Sequence, residues 1–207
     1  MAEWSIAPDS KSGLLLCSNE GSNPSLSANS LVNTGLPAIT LSAVLTLGAA
    51  TEDGRSVEAI ATPWFRIMEM IQRDPESIYQ IDPRQWEEII AGAYSADGYE
   101  VILTPRSGDH GRDVIATKSG VCSVRFYEQV KAYRPGHVVT ADEVRSMAGV
   151  LAGFPNASKG IVTTTSTFAP RLLDDPGLRS LIPYRVELKP RDVLLPWLDA
   201  LHSRARR

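Results

Sequence analysis

From Trp64 onward the apolar positions keep a regular period, and the period changes along the chain. Trp64, Ile67, Met68 and Ile71 recur at spacings of three and four, which predicts an amphipathic helix ending at Asp74-Pro75. Asp82 is a good N-cap with Pro83 at the first helical position, so a second helix follows. It carries Trp86, Ile89, Ile90 and Tyr94 on one face and stops at Gly98. The pattern then predicts strands over 99–104, 113–117 and 121–133, the last broken by Arg134-Pro135-Gly136. Thr140 caps a helix from Ala141 to Ala152, with Val144, Met147, Val150 and Leu151 inward. A strand over 161–165, a helix and loop over 170–181, a strand over 185–188 and a closing helix from Asp192 to Ser203 complete the order. From Pro83 the sequence reads α-β-β-β-α-β-α-β-α, a mixed sheet between helices and therefore an α/β fold.

Before Trp64 the periodicity weakens. Residues 1–35 are rich in Ser, Asn, Gly and Pro, and no fold is assigned to them. The run Leu36 to Ala50 is apolar but broken by Thr40, Ser42, Thr46 and Gly48. It reads as a buried strand or short helix, with Ser5-Ile6-Ala7 or Leu14-Leu15-Leu16 as candidate strand partners. The chain of 207 residues is 43% hydrophobic and 22% charged, as soluble globular proteins are. No stretch approaches the roughly 18 apolar residues of a membrane span. Cys17 and Cys122 have no metal or redox spacing, so two free thiols in a reducing cytoplasm are expected. The first ten residues lack the basic stretch of a secretion signal. Charge is divided unevenly. Residues 1–100 hold 5 Lys and Arg against 14 Asp and Glu, whereas the remainder holds 16 against 10. A basic second half suits a polyanionic partner.

Candidate chemistry gathers on the long third strand. Alternation sets Arg125, Tyr127, Gln129 and Lys131 on one face, and Val124, Phe126, Glu128 and Val130 on the other. Asp113 opens the neighbouring strand after a loop of turn formers and charges. An Asp at a strand end beside a polar residue and a Lys two apart can hold a hard divalent ion through oxygen, with the Lys orienting water against a phosphodiester. An ordinary Asp–Lys ion pair on an exposed strand is the alternative that spacing leaves open. Three scattered histidines offer no zinc spacing. Asp109 is either a group supporting the site or a loop cap. His110 and His137 are expected in solvent. The hydroxyls of Thr163 to Thr167 are either phosphate contacts or plain strand residues, and Arg106, Arg112, Arg134 and Arg145 are candidates for DNA phosphates.

Longer motifs narrow the choice. Pro83-Arg84-Gln85-Trp86-Glu87-Glu88-Ile89-Ile90, then Gly98-Tyr99-Glu100-Val101, resembles the opening of the Mrr-type restriction endonuclease domain, part of the PD-(D/E)xK nuclease superfamily. The likeness runs on through Thr104 to Asp113, Gln129-Val130-Lys131, Val144 to Leu151 and Lys159 to Phe168, in order over residues 80–200. By motif position, Asp113 resembles the family's metal-binding aspartate, and Gln129 and Lys131 its Q-x-K pair. Glu87 resembles the helix glutamate facing the site. Trp86 stands where the family usually has Phe. Glu88 competes with Glu87, and a rotation of about 100° per residue prevents both from pointing equally into one site. Glu128 lies on the wrong face unless a bulge intervenes.

The resemblance implies a restriction-endonuclease-like sheet with an αβββαβ core and a metal-dependent DNA endonuclease. Mg2+, or alternatively Mn2+, would be held by Asp113 and Gln129, less tightly than by two carboxylates. It also implies a role in defence against foreign or modified DNA, with DNA as partner and a homodimer or higher oligomer as the working form. A non-catalytic nucleic-acid-binding or regulatory subunit keeping the fold is the alternative. The expected organisation is an N-terminal extension at 1–60, open to a protein partner, a helical linker at 61–80, and the nuclease domain at 81–207. On that division a fragment beginning near Ile71 folds by itself.

Overall fold

The computed structural model describes residues 45–59, 61–108 and 110–205. The expected pairings of residues 5–7 and 14–16, the thiol of Cys17, the role expected of Asp109 and the terminal Arg206 and Arg207 lie outside them.

The helices form where the apolar period predicts. Helix α1 (Ala61–Arg73) buries Trp64, Ile67, Met68 and Ile71. Asp74 caps a short 3-10 turn over Pro75–Gln80. Helix α2 (Pro83–Ala96) begins with a reciprocal cap: the Asp82 side chain accepts from the Arg84 N–H, and Gln85 accepts from the Asp82 N–H. Its Trp86 is fully buried and donates to the Ile78 carbonyl at 3.1 Å, which ties the 3-10 turn to the helix.

Among the described residues nine strands follow the predicted order, with additions. Strands β1 (Leu45–Ala50), β2 (Arg55–Ala59), β3 (Glu100–Leu103), β4 (Val114–Lys118), β5 (Val124–Lys131), β7 (Lys159–Thr164) and β9 (Val186–Lys189) form one mixed sheet in the order β1-β2-β3-β4-β5-β7-β9. The first five are antiparallel neighbours, whereas β5, β7 and β9 run parallel. Strands β6 (Val138–Val139) and β8 (Thr167–Phe168) pair in a small sheet of their own.

Helices cover both faces. Helices α1, α2 and α5 (Arg191–Ala205) pack on a core that includes Val57, Val101, Leu103, Val114, Ala116 and Ile161. Helices α3 (Ala141–Gly153) and α4 (Pro176–Leu181) pack on the other face, against Ile115, Tyr127, Val162 and Val186. Gly160 permits the approach of α3, because a Cβ there would lie 2.5 Å from the Met147 sulfur.

Two expectations about organisation need revision. Residues 45–59 fall within the expected N-terminal extension, yet β2 pairs with β3, Val57 opposite Val101. Helix α1 is not a linker, since its apolar face belongs to the same core as α2. Periodicity missed this because β1, Leu-Thr-Leu-Gly-Ala-Ala, is exposed along nearly its whole length and shows no alternation.

Candidate active site

Alternation along β5 holds without a bulge. Register pairs Val114 with Glu128 and Ile115 with Tyr127, so Asp113, one residue before β4, continues to the level of Gln129. Tyr127 and Ile115 face α3 and α4, whereas Phe126 and Val130 pack towards α2 and α5. Asp113, Gln129 and Lys131 therefore share the α3 face of the sheet.

Asp113 is fixed by its own backbone and by β5. Its N–H donates to the Glu128 carbonyl at 2.8 Å, and its carbonyl accepts from the Thr104 N–H at 3.1 Å and hydroxyl at 3.0 Å. Its carboxylate accepts the Val130 N–H at 2.6 Å. That contact sets the carboxylate between the backbone positions of Gln129 and Lys131. Gln129 is nearly buried, and its side-chain oxygen lies 3.5 Å from the Ser146 hydroxyl of α3. Lys131 is half-buried, with no hydrogen-bond or ion-pair partner for its ammonium among the described residues. Its carbonyl is held by the Thr164 hydroxyl at 2.8 Å.

Glu87 comes from the opposite helix layer. Its carboxylate pairs with the Arg84 guanidinium at 2.5 Å, and the same guanidinium nitrogen donates to the Thr104 carbonyl at 3.0 Å. Through Arg84 it is linked to the residue that anchors the Asp113 backbone. Glu88 is half-buried, and burial raises its pKa despite Arg84 and Arg106 nearby.

An acidic residue that sequence reasoning passed over also faces Lys131. Glu143 completes the capping box of α3 with Thr140 and accepts from the Tyr133 hydroxyl. Burial works against its charge, but the Thr140 and Tyr133 hydrogen bonds and the Lys131 charge hold its pKa below the ordinary carboxylate value. Burial, helped by the same contact, pushes Tyr133 up to about 12.

Glu128 is excluded from this face. It is 1% exposed and accepts from the Tyr94 and Thr163 hydroxyls, with the Lys189 ammonium 3.6 Å away. Lys189 lies 3.2 Å from the Tyr94 oxygen and 3.9 Å from the Trp197 ring centre. Burial and Glu128 raise the Tyr94 pKa well above its usual value. The lone charge in an apolar strand pattern was the visible signal for this network; its partner lies 61 positions on and is invisible to local pattern.

Several phosphate candidates have other employment. Thr163, Thr164 and Thr165 are buried, and their hydroxyls bond to Glu128, the Lys131 carbonyl and the Tyr133 carbonyl. Arg112 is buried against Phe154 and paired with Asp53. Arg145 pairs with Asp142 and Asp175. Arg106 and Arg134 are exposed, as are His110 and His137.

No group of three His, Cys, Asp or Glu suited to a metal occurs among the described residues. One carboxylate and one amide oxygen on a shared face fit a magnesium-type ion, which takes one or two carboxylates and fills its remaining positions with water and phosphate oxygens. A structural zinc or a high-affinity calcium site needs more ligands than Asp113 and Gln129 supply.

Comparison with known proteins gives the same chemistry a context. The family Mrr_cat, described as restriction endonuclease, matches residues 78–172. An uncharacterized protein of Sinorhizobium fredii, y4cE, is 29% identical over 87 residues, covering 40% of this chain and 21% of its own length. The chain thus matches about a fifth of that relative. Among solved structures, the MspJI restriction endonuclease in complex with a 27-mer oligonucleotide aligns at 16% identity and a TM-score of 0.37, covering 76% of this chain and 38% of that one. The DNA modification-dependent restriction endonuclease AspBHI aligns at 17% and 0.42, covering 77% and 44%.

Proposed function

We propose, from the match of residues 78–172 to the restriction endonuclease family Mrr_cat, that the chain hydrolyses phosphodiester bonds in DNA with the help of Mg2+ or Mn2+. The observation that carries the reading is the Asp113 carboxylate held on the Val130 N–H, level with Gln129 and next along the strand to Lys131. Asp113 and the Gln129 side-chain oxygen are the residues that would hold the ion. When bound, the ion supplies Lewis acidity to the scissile phosphate and lowers the pKa of its water.

The protein's own groups divide the remaining work. Lys131 donates hydrogen bonds to the attacking water and to phosphate oxygens as negative charge develops. Glu143, engaged by Thr140 and Tyr133, adds negative charge in the surroundings of Lys131. Glu87 acts through Arg84, steadying Thr104 and so the backbone of Asp113. Arg106 and Arg134, exposed at the same end of the sheet as Asp113 and Lys131, meet the DNA backbone without reading sequence. Defence against foreign or modified DNA is the biological role proposed, with a homodimer for cutting both strands and the cytoplasm as the place of action.

A non-catalytic DNA-binding subunit is the second reading, favoured by the single carboxylate on the strand face. Plasmid incubated with the protein and Mg2+, then with a chelator, separates the two. Metal-dependent nicking supports hydrolysis; retardation without cleavage supports the second reading.

A further inference from the structure

The turn between β1 and β2 reaches into the region that carries Asp113. Thr51 and Gly54 close it with hydrogen bonds of 2.7 and 3.3 Å between their backbones. Gly54, at φ +151°, lies so close to β3 that a Cβ would come within 2.3 Å of the Leu103 carbonyl. Only glycine lets the turn sit there. Between these two residues Asp53 points its carboxylate at two guanidinium groups: Arg112 at 3.1 Å and Arg125 at 3.0 Å.

Arg112 immediately precedes Asp113. It is 4% exposed, with its guanidinium carbon 3.9 Å from the centre of the Phe154 ring and 5.2 Å from that of Tyr127. Its carbonyl accepts from the Thr104 hydroxyl at 2.5 Å. Arg125 belongs to β5, on the face that carries Gln129 and Lys131. Asp53 thus joins the residue before the candidate metal ligand to the strand bearing the other two site residues. Asp53 is the carboxylate that joins the two guanidinium groups, one of them in a desolvated place. Losing it cuts the tie between the β1–β2 turn and the residue before Asp113, and the backbone at 112–113 gains freedom.

We infer that Asp53 is a positioning residue for the Asp113 site, and that the functional unit includes the β1–β2 hairpin, which lies outside the matched residues 78–172. The inference rests on the proposed nuclease reading for its consequence, but not for its geometry. It predicts that the hairpin acts on catalysis through loop order and metal loading, not through contact with DNA.

The test uses the full chain and the variants Asp53→Ala and Asp53→Asn. Asn keeps the shape and one acceptor but places an amide donor against a guanidinium. Hydrogen exchange is followed in peptides covering residues 104–113, with α3 as the internal reference. Cleavage is followed as kcat, KM for DNA and the Mg2+ concentration giving half-maximal rate. The expected result is faster exchange in 104–113 than in α3, a loss of about 10–100-fold in kcat or in Mg2+ affinity, and an unchanged KM. Exchange that rises equally in α3 and the loop, including outright unfolding of both variants, overturns the local role. So does a variant with wild-type loop exchange. If the wild-type chain cuts no DNA under any metal, the nuclease reading fails, and the exchange comparison still decides whether Asp53 orders the loop.

Discussion

Lys131 carries an ammonium with no ion-pair partner among the described residues, on the strand face it shares with Gln129 and level with a carboxylate fixed by a backbone N–H. Glu128, three positions before it, sits inside the opposite core with three polar partners. The two residues should therefore fail differently on mutation. Lys131→Ala is expected to keep the wild-type melting temperature and lose about 100-fold or more in cleavage rate, since it removes donors for developing charge. Glu128→Ala is expected to lose about 3–5 kcal/mol of stability, because it strands the Lys189 ammonium in the core. Chemical denaturation beside a nicking assay checks both. Equal activity loss with equal stability would place Glu128 in the site. The face assignment was legible from period-two alternation alone. The reason Glu128 tolerates burial was not, because Tyr94, Thr163 and Lys189 come from three separate elements.

At the scale of elements, α3 is positioned by two devices. Gly160 allows its close approach, and the Thr140–Glu143 capping box starts it beside Lys131. Gly160→Ala should cost about 1–3 kcal/mol, as the new methyl group on β7 meets the Met147 side chain of α3, and should slow cleavage by displacing Ser146 from Gln129. Urea denaturation and a cleavage assay read the two effects. Glu143 contributes in a pH-dependent way. Its folded pKa lies below the ordinary value of 4.5, so the unfolded chain binds its proton more readily. The stabilisation is complete above the ordinary value and is lost as pH falls through the folded one. Glu143→Gln should therefore show a flatter decline of melting temperature between about pH 5 and pH 3 than the wild type. A parallel decline in both would remove Glu143 from the account. The caps of α2 and α3 were readable because capping is local. The pairing of β2 with β3 was not, because Ile102, the partner of Ser56, lies 46 positions further along the chain and no turn signal links them.

The whole molecule holds its site between two layers, with the antiparallel part of the sheet extended by a hairpin from outside the family-matched segment. A fragment starting at Ile71 lacks β1, β2 and most of α1. It would expose Val101 and Leu103 along the open β3 edge, together with the α2 surface that Trp64 and Met68 cover. It is expected to be insoluble or to melt well below the full chain, which calorimetry or light scattering decides. A soluble fragment with an unchanged melting temperature would contradict the packing described. The acidic balance of residues 1–100 against the basic remainder is a property of composition that the fold redistributes. Asp53, from the acidic half, is spent on Arg112 and Arg125 from the basic half.

The central claim is that Asp113 serves a metal-dependent cut in DNA, and it is tested most directly by supercoiled plasmid incubated with the full chain and with Asp113→Ala, each with Mg2+ and with a chelator. The account predicts nicked or linear product from the wild type only in the presence of the metal, and none from the variant at equal DNA binding. Cleavage by Asp113→Ala at a rate near that of the wild type, or cleavage that survives the chelator, would contradict it.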